Sequence, residues 1–142
     1  MAKIVINRCY GGFGVSKNGT LEILRRKGLF VVADNSEEFG YSYLASDGNE
    51  YHNFYFEDKR DDPELISAIE ELGSEFMSSK SANLAIAEYD EENFTYSIDE
   101  YDGYESLVPV PFVSEKKLSE CKGVEEIMNY IESLGIKVVR NS

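Results

Sequence analysis

The 142-residue sequence contains no tryptophan, a single histidine, two cysteines, three prolines and three methionines. One histidine, His52 in a tyrosine-rich stretch, excludes histidine-rich metal centres and leaves one imidazole for acid–base chemistry. Cys9 and Cys121 stand far apart and form no paired-cysteine motif. Such sparse usage fits a reducing compartment and a fold held by its core rather than by disulfides. Cys9 follows Arg8 in a glycine loop, but a phosphatase-type loop needs arginine six residues on, where Val15 stands. The thiol therefore reads as structural. No apolar run approaches the roughly 18 residues that span a bilayer. The opening stretch to Asn7 is too short in its apolar part for a signal peptide. The expectation is a cytoplasmic protein that binds no membrane.

Positive charge is also scarce: 14 basic residues face 27 acidic ones, for a net charge of −13. That balance repels nucleic-acid backbones and argues against direct nucleic-acid binding. The distribution is uneven. Residues 1–30 hold six basic residues and one acid, a net +5, whereas residues 31–142 hold eight and 26, a net −18. Such asymmetry is a pointer to an interaction surface, and the plainer reading is an acidic surface that keeps a small protein soluble.

The length fits one domain, and the 42% hydrophobic content supplies a packed core without a metal or other cofactor. Ala2 to Asn7 reads as a buried strand, followed by the glycine loop Cys9 to Gly14. Ser16 offers an N-cap for a helix over 17–27, with Gly28 as its stop and Gly19 as a weak point. Leu29 to Ala33, Tyr41 to Ala45 and Tyr51 to Phe56 read as strands, the last two joined across Asp47-Gly48-Asn49. Asp62-Pro63 opens a helix whose apolar face is Leu65, Ile66, Ile69, Leu72 and Phe76, with Gly73 as a break. Asn83 to Tyr89 and Phe94 to Tyr101 read as a second hairpin across 90–93. Leu107 to Val113 reads as an extended connector or edge strand. A last helix carries Val124, Ile127, Met128, Ile131 and Leu134, and Ile136 to Val139 returns as a strand. The expected fold is a single α+β domain over 1–142. Its sheet is mixed or mainly antiparallel, with five to seven strands and about three helices packed on it.

Two places could carry chemistry. In the first, a buried strand leads through Gly11, Gly12 and Gly14 to a helix N-terminus, with Arg8 and Lys17 on either side and Tyr10 and Phe13 available for stacking. Its spelling matches neither the P-loop nor the dinucleotide loop. The alternative is a tight turn with both aromatics packed inward. The second place is a set of carboxylates: Glu64, Glu71 and Glu75 on a helix face, and Asp99 and Asp102 in an acidic turn. The turn departs from the calcium-loop spacing, so a solvated turn is the plain reading.

Three blocks stand in order along the chain: Lys-Ile-Val-Ile-Asn-Arg-Cys-Tyr-Gly-Gly-Phe-Gly at 3–14, Arg-Asp-Asp-Pro-Glu-Leu-Ile with Glu-Glu-Leu-Gly at 60–73, and Ile-Asp-Glu-Tyr-Asp-Gly-Tyr-Glu at 98–105. In these blocks the chain resembles a family of small phage and prophage proteins of uncharacterised function. The resemblance implies a phage-linked accessory context and carries over no catalytic residue. Residues 106–142 depart from the family pattern and read as an extension for a partner or a homo-oligomer interface.

The leading functional expectation is a non-enzymatic accessory or counter-defence protein. It would bind a basic host or phage protein through Glu64, Glu71, Glu75, Asp99 and Asp102, imitating a phosphate array. The alternative is a binder of a nucleotide or other anionic small ligand through Arg8, Tyr10, Gly11, Gly12, Phe13 and Lys17. An enzyme using Cys9 or the carboxylates at 99–105 ranks last.

Overall fold

The structure is a computed structural model that describes residues 1–38 and 40–136. The expected final strand at Ile136 to Val139 falls largely outside the described residues. The fold is mixed α+β. In chain order its elements are β1 (Ala2–Asn7), α1 (Lys17–Arg26), β2 (Val31–Asp34), β3 (Ser42–Ala45), β4 (Glu50–His52), α2 (Pro63–Leu72), α3 (Ser74–Met77), β5 (Leu84–Tyr89), β6 (Phe94–Tyr101), β7 (Tyr104–Pro111), α4 (Glu115–Glu120) and α5 (Val124–Ser133). The strands form three small sheets: β1 with β5, β2-β3-β4 antiparallel, and β6 with β7.

The chain divides into two compact units. The larger is Lys3–Glu88 with Ile98–Leu107; the smaller is Met1–Ala2, Tyr89–Ser97 and Val108–Ser142. The larger unit carries nine basic and 19 acidic residues, a net −10, and the smaller a net −3.

Within the larger unit, local chemistry places each element. Ser16 accepts the Gly19 N–H and caps α1. Asp62 accepts the Leu65 N–H, with Pro63 at the first position of α2, where a missing N–H costs nothing. Gly19 has a use that a helix-propensity reading misses: a Cβ there would stand 2.8 Å from the Ser16 hydroxyl that caps α1 and 3.1 Å from the Met77 carbonyl, so glycine eases the close approach of α1 and α3. Helix α1 buries Ile23 and Leu24, and α2 buries Leu65, Ala68 and Ile69. These close over Val5, Val15, Tyr43, Tyr51, Phe56 and Met77 as one core.

Three expectations change. Gly73, at φ 89°, ends α2, so Phe76 leaves its apolar face and is exposed, while Met77 is fully buried from α3. The strand expected over Tyr51 to Phe56 stops at His52. Tyr55–Asp58 form a 3-10 turn that swings Phe56 into the core. The second hairpin is also re-paired. Asp90–Asn93 makes a turn, but β5 joins β1, and the partner of β6 is β7, across Asp102-Gly103. Both turn residues have positive φ (50° and 88°), the requirement of a two-residue hairpin turn that matches strand twist.

In the smaller unit, the Phe112 N–H bonds the Asn93 carbonyl. Backbone groups two residues apart face the same way, so Pro109 and Pro111 fall on the outward edge, where they need no donor and blunt further pairing. No helix among the described residues is long and apolar enough to cross a membrane.

Candidate functional site

Glycine loop and hairpin tip meet at one polar seam inside the larger unit. It begins with Asn7, the last residue of β1 and fully buried. The Asn7 side-chain amide donates to the carbonyls of Cys9 (2.8 Å) and Gly103 (2.7 Å), and its Oδ1 accepts the Asn83 N–H (2.8 Å). The Asn7 backbone N–H donates to Glu105 Oε1 at 2.7 Å.

Glu105, on β7, is the centre of the seam. Arg60 donates to both carboxylate oxygens, at 2.6 and 2.9 Å, and the two side chains are only 6% and 7% exposed. A bidentate pair of this kind is strong and directional. Arg60 is held from behind as well: Nε donates to the Glu57 carbonyl (2.6 Å), Nη1 to the Val5 carbonyl (3.1 Å), and the guanidinium lies 4.1 Å over the Phe13 ring. Among the described residues every buried side-chain nitrogen and oxygen has a partner. That condition lets two charges lie inside a protein.

Arg8 closes the seam from outside. Its Nη1 donates to the Glu105 carbonyl (2.9 Å) and Ser106 Oγ (3.1 Å), and its guanidinium sits 4.3 Å over Tyr104. Tyr10 stacks on the same ring at 5.2 Å and is 64% exposed, so it does not pack inward as the tight-turn alternative expects. Gly11 and Gly12 lie against the hairpin turn: a Cβ on Gly103 would be 2.7 Å from the Gly11 nitrogen. Of the six residues predicted for an anion loop, Arg8, Tyr10, Gly11 and Gly12 surround the tip and Phe13 lies buried beneath Arg60. Lys17 is exposed on the first turn of α1, and the Asp34 carboxyl is held below its ordinary range by its hydrogen bonds with Ser36, with a smaller contribution from the Lys17 charge.

The predicted protein-binding acids fall in three places. Lys27 reaches Asp62 (2.6 Å) and Glu64 (3.0 Å), and Arg26 reaches Glu22 (3.0 Å) and Glu71 (2.9 Å). The hydrogen bond and charge of Lys27 hold the Glu64 carboxyl below its usual range. The basic end of α1 is therefore spent on α2, and Glu75 stands apart, exposed on α3. Asp99 and Asp102 lie at the exposed hairpin tip. The Glu100 carboxylate accepts the Gly103 N–H at 2.9 Å, and Tyr101 is 78% exposed beside them.

Cys9 and Cys121 are free and half-buried, and His52 packs edge-on to Phe54 and Tyr55, its Nδ1 accepting the Phe54 N–H. No group of histidine, cysteine and carboxylate side chains among the described residues is arranged to hold a metal ion. An open hollow of about 410 Å³, lined by Asn35, Glu37, Tyr41 and Glu50 among others, contains none of the sequence-predicted site residues.

Asn7, Arg60 and Tyr104 were not singled out from sequence, and Glu105 only as one of the carboxylates at 99–105, yet together they organise the site. Arg60 sits in a run of alternating charges that reads as solvated, and Glu105 in a cluster that reads as a turn. Three separate stretches of the chain meet here: Asn7 and Arg8 from β1 and its loop, Arg60 from the turn before α2, and Gly103 to Glu105 from the hairpin. Comparison with family models, with curated proteins and with solved structures finds no match, so the functional reading rests on this geometry.

Proposed function

We propose that the protein is a non-enzymatic binding protein, of the phage-accessory or counter-defence kind, that docks on a basic protein surface through the tip of the β6–β7 hairpin. The observation that carries this reading is a contrast within the tip. Its base is fixed by Glu105 and Asn7, while Asp99, Tyr101 and Asp102 are exposed around a two-residue turn. Carboxylates held on a rigid turn lose little conformational entropy on binding, and exposed tyrosines beside them suit arginine-rich surfaces. The larger unit's net −10 supplies long-range attraction to the same class of partner.

Competition with duplex DNA for a basic nucleic-acid-binding protein tests the reading. The protein should displace the DNA, and its own affinity should fall steeply between low and physiological salt. Binding to such proteins that is absent at low salt refutes it.

A further inference from the structure

We propose that Arg60, the Asn7 N–H and the Phe13 ring form an oxyanion receptor that the chain fills with its own Glu105, making the hairpin tip a displaceable internal plug. The inference goes beyond the docking reading and does not depend on it. It places small-anion recognition beneath the tip, at Arg60, rather than on the glycine loop itself.

The receptor is built without the plug. Arg60 is oriented by the Glu57 and Val5 carbonyls and by the Phe13 ring, and Asn7 by its place at the end of β1. Three donors, two from Arg60 and one from Asn7, then converge on one carboxylate at 2.6–2.9 Å. A free carboxylate or a phosphate oxygen pair presents the same acceptors to the same fork.

The plug, by contrast, is held by polar contacts. Across residues 98–107 only Glu105 is buried, and no apolar side chain of that segment enters the core. The tip is tied down by Glu105, by Asn7 to the Gly103 carbonyl, by Arg8 to the Glu105 carbonyl and Ser106, and by the Tyr104 ring against Tyr10 and Arg8 at the surface. The polar bonds can be exchanged for bonds to water and to an incoming anion, and the apolar cost is limited to the half-buried Ile98, Tyr104 and Leu107, none of which packs in the core cluster. An empty receptor is disfavoured because Arg60 would be left buried and unpaired, so the exchange is of one anion for another. A tethered ligand competes at an effective concentration on the order of millimolar or above, which sets the range in which a free anion acts.

Hydrogen exchange of the full chain, in inorganic phosphate against chloride at matched ionic strength, tests displacement. Amides of residues 98–107 should exchange several-fold faster in phosphate, with α2 and the β2-β3-β4 sheet unchanged; equal exchange in both salts overturns the plug. Thermal unfolding of Glu105→Ala tests the receptor. Its Tm should lie below that of the wild type and should rise by several degrees in phosphate or acetate, a rise that the double variant Arg60→Ala/Glu105→Ala lacks. Should Glu105→Ala fail to fold, Glu105→Gln, which keeps the shape and one neutral acceptor, enters the same titration. A variant that folds and shows no anion-specific rise overturns the receptor.

Discussion

The larger unit holds its parts together by two different means. Under α1 and α2 the contact is apolar: Ile23, Leu24, Leu65 and Ile69 join Phe56 and Met77 in one buried core cluster. Under the hairpin tip it is mainly polar and centred on the Arg60–Glu105 pair, with Asn7 and Arg8 beside it. An apolar core degrades gradually, because each lost methylene costs a little and its neighbours partly relax. A buried ion pair fails abruptly, since loss of either partner strands the other charge. The difference teaches why the tip can be both rigid and separable: its position depends on a few directional bonds, not on buried area.

The largest expected effect comes from breaking the polar side alone. Arg60→Ala should destabilise by about 3–5 kcal/mol in urea unfolding. The double change Arg60→Met/Glu105→Leu should recover most of that loss, because neither charge is then stranded. A double variant worse than the single one would mean that the pair contributes net stability. On the apolar side, Leu65→Ala should cost about 2–5 kcal/mol, the ordinary range for a large core truncation. It should leave the relative protection of the tip unchanged.

Alkaline titration sharpens the picture of the core. Burial pushes the Tyr41 and Tyr51 hydroxyls well above the ordinary tyrosine range, helped at Tyr51 by its hydrogen bond to Asp47. Their raised folded-state values contribute stability below the unfolded value of about 10, and that stability is lost as pH rises past it. Tyr41 and Tyr51 should therefore ionise late, together with unfolding, in an absorbance titration. The smallest effect concerns the surface. Glu71→Gln removes a pair whose acid is well exposed and should change stability by less than about 1 kcal/mol.

Much of the fold was legible in local chemistry. Ser16, Asp62-Pro63, Gly28 and Gly73 mark helix ends where glycine, proline and capping residues act through the backbone alone, and the structure places the ends there. The strand pairing was less legible, although its signal was present. Asp102-Gly103 is the same dipeptide that marks the turn at Asp47-Gly48, and reading it as a hairpin sets Tyr104 opposite Tyr101. Glu105 and Leu107 then share a face with Ile98 and Tyr96, which puts a carboxylate on the inward side of a ribbon. A buried carboxylate demands a cation, yet which one is a matter of tertiary geometry. Arg60 lies 45 residues away in a run of mixed charge that gives no local sign of burial. The α2 acids were legible as a charged face, but their neutralisation by Arg26 and Lys27 depends on how two helices pack.

That last division holds the central claim: the acids of α2 are committed within the protein, and those of the tip face outward. The most direct test is a set of anisotropy titrations of a labelled arginine-rich peptide against three proteins at one low salt concentration. These are the wild type, Asp99→Asn/Asp102→Asn and Glu64→Gln/Glu71→Gln, the two variants having lost the same formal charge. The account predicts a several-fold greater loss of affinity for the tip variant than for the helix variant. Equal losses would reduce the effect to net charge, and a greater loss for the helix variant would contradict the account.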